Sequence, residues 1–114
     1  MIVAEVDIVM ETLKTEEQFN EWIKEKNVIA LFSADWCPDC RIIEPIMPEI
    51  ESEYPAYSFV IIDRDQFIEM CQDYDVFGIP SFIAFKNGKE AGRFVNKDRK
   101  SKEEITEFIE GLPA

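Results

Sequence analysis

Val28-Ile29-Ala30-Leu31-Phe32 runs through Ser33-Ala34-Asp35 into Trp36-Cys37-Pro38-Asp39-Cys40. A short apolar run bounded by polar residues reads as a strand buried on both faces. Pro38 suits the first position of a helix, where its missing N–H costs nothing and its fixed φ is already helical. The stretch therefore reads as strand, turn and helix, with Cys37 at the exposed start of the helix and Cys40 about one turn on. Unpaired N–H groups at that end carry partial positive charge, which favours a thiolate on Cys37 while Cys40 stays shielded. Disulfide exchange needs an attacking thiolate and a second thiol within reach to release the product. The pair is thus a redox dithiol candidate, Cys37 the nucleophile and Cys40 the resolving thiol.

Upstream, Thr15-Glu16-Glu17-Gln18 fits a capping box, and Phe19, Trp22 and Ile23 follow at helical spacing, predicting a helix over 15–26. Downstream, Ile42, Ile43, Ile46, Met47, Ile50 and Tyr54 form one apolar stripe that ends before Pro55. Pro45 lies inside this helix and removes a backbone hydrogen bond, so a kink is expected near 41–45, with Pro48 extending the distortion. Tyr57 to Ile62 reads as the next strand and Gln66 to Tyr74 as a shorter helix. Ser81 to Phe85 and Ala91 to Val95 flank Asn87-Gly88, the favoured dipeptide of a two-residue turn, and predict an antiparallel hairpin. Ser101-Lys102-Glu103-Glu104 is a second capping box, opening a last helix with Ile105, Phe108, Ile109 and Leu112 inward. Strands alternating with helices and closing on a hairpin predict an α/β fold, a mixed sheet with helices on both faces.

The chain has 114 residues, a length that suits a single domain over 1–114, with residues 1–10 an edge strand or a loose arm. Its 24 Asp and Glu against 12 Lys and Arg give a net charge of −12, which opposes binding to nucleic acid or anionic membranes. No apolar run approaches the ~20 residues of a membrane span, and the first residues lack the basic region and cleavage site of a secretion signal. A cytoplasmic location is expected, where Cys-x-x-Cys is more often redox-active or metal-binding than a structural bridge. With three cysteines and no histidine, a closed zinc site would need a carboxylate as its fourth ligand, so no metal is expected. Cys71, spaced helically with Phe67 and Tyr74, reads as a small buried hydrophobe.

Alternation, dithiol, kinked helix and hairpin together resemble the thioredoxin family. Phe32-Ser33-Ala34-Asp35-Trp36-Cys37 and Cys40 look like its strand and active-site turn, Arg41 like the basic residue that follows, and Pro45 like its helix kink. Gly78-Ile79-Pro80 is similar to the loop before the family's fourth strand, and Phe85-Lys86-Asn87-Gly88 to its hairpin. The resemblance implies a thioredoxin fold, a central mixed sheet of four to five strands flanked by helices. It also implies a cis bond before Pro80, beside the dithiol, in a loop that pairs with extended substrate. Three departures stand out. Pro38-Asp39 replaces the usual Gly-Pro, which resembles small relatives with Trp-Cys-Pro-Asp-Cys; Leu31 and Phe59 stand where a buried Asp and a nearby Lys are typical; Asn96 replaces a glycine and is followed by the charged Lys97-Asp98-Arg99-Lys100.

The expected activity is that of a thiol–disulfide oxidoreductase, a cytosolic reductase of protein disulfides or small thiol adducts. It would work through its redox-active disulfide without a bound cofactor, as a monomer, with a thioredoxin reductase as electron donor by the family analogy. Trp36, Pro38, Ile79 and Pro80 are the candidate substrate-binding residues, Trp36 capping the surface beside the thiolate. With Leu31 and Phe59 uncharged, Asp39 is the candidate proton acceptor for Cys40. A redox-regulated binding module that holds a partner with little turnover is the alternative.

Overall fold

The structure, a computed structural model, describes residues 10–96 and 98–113. The possible arm over residues 1–10 lies outside this range except for Met10, which is buried. A two-residue strand β1, Glu11–Thr12, leads into helix α1, Glu16–Glu25, and strand β2, Val28–Ser33. Helix α2, Pro38–Ile43, passes through a 3₁₀ turn, Glu44–Ile46, into helix α3, Met47–Glu53. Strand β3, Ser58–Asp63, helix α4, Ile68–Asp73, strands β4, Ser81–Lys86, and β5, Lys89–Phe94, and helix α5, Lys102–Glu110, complete the order.

The strands form one mixed sheet in the order β1-β3-β2-β4-β5, parallel across β1, β3 and β2, and antiparallel from β2 to β4 and β4 to β5. Every residue of β2 is buried, as its unbroken apolar run requires of a central strand. Alternate side chains feed two cores. Val28, Ala30 and Phe32 pack with Phe19 and Ile23 of α1 and Met70 and Cys71 of α4. Ile29 and Leu31 pack with Ile43, Met47 and Ile50 of the kinked helix and Ile105 and Ile109 of α5. Each large side chain removed from water on these faces contributes roughly 1.5–3 kcal/mol. Helices therefore cover both faces, and the sheet's centre carries the dithiol at the end of β2.

Several elements differ in detail from their sequence reading. Thr15 Oγ1 accepts from the Gln18 N–H at 3.1 Å, but Gln18 Oε1 accepts from the Lys14 N–H, so this capping box is only half formed. The Ser101 box closes in both directions. Ile42 is 46% exposed and does not belong to the buried stripe, because Ile43, Met47 and Ile50 already fill the inward face. The short helix begins at Ile68, two residues late, since Asp63 Oδ1 holds the Asp65 and Gln66 N–H groups in a preceding turn. Strand β5 starts at Lys89, because Asn87 and Gly88 at φ 55° and 79° turn the chain at once and Lys89 pairs with Lys86. Pairing uses backbone groups, so the charged Lys89-Glu90 is compatible with an outward edge.

Candidate functional site

Strand β2 delivers Ser33 at the rim of the sheet, and the following turn places Cys37 as the N-cap of α2 with Pro38 in the first turn. Cys37 and Cys40 are joined as a disulfide with Cα atoms 5.2 Å apart, a separation suited to the bond. The backbone N–H of Cys40 donates to Cys37 Sγ at 3.2 Å, so a main-chain donor of the helix start points at the first sulfur. Arg41, in the same helix, braces the turn by donating to the Asp35 carbonyl at 3.2 Å.

Cys37 is less open than its place at a helix end predicts: it is 4% exposed and Cys40 fully buried. Ala34 and Ile79 pack against the pair and take up the space that solvent would fill. Cys37 nonetheless lines an open cleft whose walls are Trp36, Asp39, Arg64, Phe77 and Ile79. The peptide bond between Ile79 and Pro80 is cis, as the family resemblance implies, and the Ile79 carbonyl oxygen lies 3.9 Å from Cys37 Sγ. Pro80 itself is buried beneath this loop. Of the residues singled out in sequence, Trp36, Cys37, Pro38, Asp39 and Ile79 come together at the cleft, and Cys40 and Pro80 lie behind it.

In and around the cleft stand partners that sequence patterns did not mark. Trp36, 59% exposed, is fixed by its Nε1–H, which donates to Asp65 Oδ2 at 2.7 Å, and by the Arg64 guanidinium 5.8 Å from its ring centre. Phe77, 78% exposed, is the opposite apolar wall. Asp39 Oδ1 accepts from Arg99 Nε at 3.0 Å, tying α2 to the charged segment after β5. That segment contains a buried cation: Lys100 is 2% exposed, and its desolvation lowers the ammonium pKa against the opposing pull of Asp98, Glu104 and Asp39. No local motif marks these pairs, which join residues 29 and 60 positions apart; only the charge of Asp65, Arg64 and Arg99 in loops was visible.

The interior below the pair is apolar. Leu31 is fully buried and stands opposite Ile61 in the sheet, and neither Leu31 nor Ile61 is charged. Phe59 stands opposite Ile29, farther from the dithiol than its sequence reading placed it, so Ile61 and not Phe59 is the neighbour of Leu31. Cys71 sits on the other face of the sheet, 2% exposed, where burial pushes its thiol pKa up. Among the described residues no group of His, Cys, Asp and Glu is arranged to hold a metal ion, and no helix is long and apolar enough to cross a membrane. Chemically, two sulfurs that can exchange one bond, a main-chain donor at the first and an open cleft beside it suit thiol–disulfide exchange.

Comparison with known proteins points the same way. Residues 10–111 match the family model described as Thioredoxin. Thioredoxin H4-1 of Oryza sativa subsp. japonica is 33% identical over 92 residues, covering 76% of this chain and 70% of its own. Thioredoxin-1 of Saccharomyces cerevisiae is 34% identical over 83 residues, 72% of this chain and 81% of its own. The crystal structure of thioredoxin from Trypanosoma brucei brucei superposes with a TM-score of 0.77 at 27% identity, covering 90% of this chain and 93% of that one. A poplar wild-type thioredoxin h superposes with a TM-score of 0.78 at 26% identity, covering 89% and 93%. Fold, cysteine spacing and relatives agree: the chain belongs to the thioredoxin family and is a thiol–disulfide oxidoreductase.

Proposed function

We propose that this protein is a single-domain, monomeric, cytosolic reductase of protein disulfides or small thiol adducts. The observation that carries the reading is the placement of Cys37 Sγ at the cleft, with the Cys40 N–H at 3.2 Å and the Ile79 carbonyl at 3.9 Å. In the reduced protein the Cys37 thiolate attacks one sulfur of a substrate disulfide. The substrate S–S bond breaks, a Cys37–substrate bond forms, and the first substrate thiolate leaves and takes a proton. Cys40 then loses its proton and attacks Cys37 Sγ, which releases the second substrate thiol and forms the Cys37–Cys40 disulfide. Two electrons pass from dithiol to substrate, and a dithiol reductant of the thioredoxin reductase class restores the protein. No bound cofactor takes part.

Trp36, Pro38, Ile79 and Pro80 form the substrate platform. Trp36 and Pro38 border the attacking sulfur, and the Ile79-Pro80 backbone lies alongside an extended substrate segment. Asp39 accepts the proton of Cys40, since neither Leu31 nor its cross-strand neighbour Ile61 offers a base. Its carboxylate lines the cleft in the same helical turn as both cysteines, held at Oδ1 by Arg99. The test is turnover of a disulfide-bonded protein with dithiothreitol as reductant: the wild type turns over above the uncatalysed rate and Cys37→Ser does not. Equal rates for the two would reject the assignment.

A further inference from the structure

The segment after β5 is a run of charged residues in sequence, yet its Lys100 is buried. A buried ammonium needs acceptors for its protons, and here the segment supplies them. Lys100 Nζ donates to the Asn96 carbonyl at 3.2 Å, to Asn96 Oδ1 at 2.9 Å and to the Asp98 carbonyl at 2.8 Å, and lies 5.0 Å from the Phe94 ring centre. One of those acceptors is shared. Ser81 Oγ lies 3.2 Å from the Asn96 carbonyl and 2.6 Å from the Gly78 carbonyl, and Ser81 is fully buried.

A hydroxyl has one proton and cannot serve two carbonyls at once. The shorter contact places it on Gly78, which leaves the Asn96 carbonyl to Lys100. We propose that Lys100 is a positioning residue for the reductase reaction: its charged donor at the Asn96 carbonyl weakens that oxygen's pull on the Ser81 proton, favours the Ser81 hydroxyl on Gly78 and so steadies the Gly78-Ile79-Pro80 backbone against which peptide substrates align. The inference rests on the reading of that loop as the substrate platform. Without the ammonium, the Asn96 carbonyl competes for the Ser81 proton, and the Gly78 carbonyl is left unpaired for part of the time. The contacts of the reacting sulfur are with the Cys40 N–H and the Ile79 carbonyl and not with Ser81, Asn96 or Lys100, so the defect falls mainly on substrates that pair with the loop and least on those too small to reach it.

The experiment compares wild type, Lys100→Met, Ser81→Ala and the double variant on two substrates, a fluorogenic peptide with an internal disulfide and hydroxyethyl disulfide, with dithiothreitol as reductant. Lys100→Met raises KM for the peptide about fivefold, the scale of one lost hydrogen bond, and leaves kcat for the peptide and the rate with hydroxyethyl disulfide within twofold. Ser81→Ala raises the peptide KM similarly, and the double variant is no worse than Ser81→Ala, because the shared proton is already gone. A peptide KM unchanged in Lys100→Met or in Ser81→Ala, equal losses on both substrates, or additive losses in the double variant would overturn the proposal. Should Lys100→Met fail to fold, Lys100→Ala takes its place and is read against the same outcomes. Wild-type protein inert toward both disulfides would instead overturn the parent reading and this one with it.

Discussion

Cys37 and Cys71 are almost equally hidden, 4% and 2% exposed, yet their surroundings prescribe opposite chemistry. Cys71 lies within α4, in a core of Phe19, Phe67 and Tyr74, where burial works against its thiolate. Cys37 caps α2, with a main-chain N–H aimed at its sulfur and an open cleft on one side. Solvent exposure does not separate the two; the end of a helix and the cleft do. A thiol becomes reactive where donors meet its sulfur and a path leads to it.

The comparison breaks most completely at the dithiol itself. Cys37→Ser abolishes turnover, a loss of more than about a thousandfold on the scale of removed nucleophiles, whereas Cys71→Ser leaves turnover within twofold in the same disulfide-reduction assay. Cys40→Ser keeps the attack but not the release, so it accumulates mixed disulfides that mass spectrometry detects and multiple turnover stops. Asp39→Asn sharpens the contrast within the site: stopped-flow kinetics should show release of the mixed disulfide slowed on the order of a hundredfold, the low end of base catalysis, with attack little changed. A change confined to attack would remove Asp39 from the proton path.

At Cys71 the expected effects are on stability. Cys71→Ala lowers unfolding free energy by about 1 kcal/mol through the small cavity it leaves, measured by chemical denaturation of the oxidised protein. The smallest effect is its pH dependence. The unfolded chain releases the Cys71 proton in the ordinary thiol range and the folded chain only above it. This group's contribution is therefore complete below that range and lost as pH rises through the raised value. Wild type should lose stability more steeply than Cys71→Ala across that alkaline window.

The sequence carried most of the fold because its signals were local. The unbroken run from Val28 to Phe32 became the central strand, and the Ser101 box closed with both hydrogen bonds. Pro45 produced a break at the predicted place, as a 3₁₀ turn between two helices. Of the site, the cysteine pair and the Gly78-Ile79-Pro80 loop were legible, the first from spacing and the second from resemblance. What remained hidden was tertiary. Asp65 reaches Trp36 and Arg99 reaches Asp39 across long stretches of chain. Lys100 stood in sequence only as one of a charged run, because nothing local announces that three acceptors, from Asn96 and Asp98, would hold it buried. Cys37 was read as exposed because the packing of Ile79 against it is a contact between residues 42 positions apart.

The central claim is that position at the helix start, and not exposure, makes Cys37 the attacking thiol. It is tested most directly by treating the reduced, folded protein with iodoacetamide at neutral pH and following each cysteine-containing peptide by mass spectrometry over time. The account predicts that Cys37 is labelled first and Cys40 much later, with Cys71 unlabelled until denaturant is added. Labelling of Cys71 in the folded protein at a rate comparable to Cys37, or of Cys40 ahead of Cys37, would contradict it.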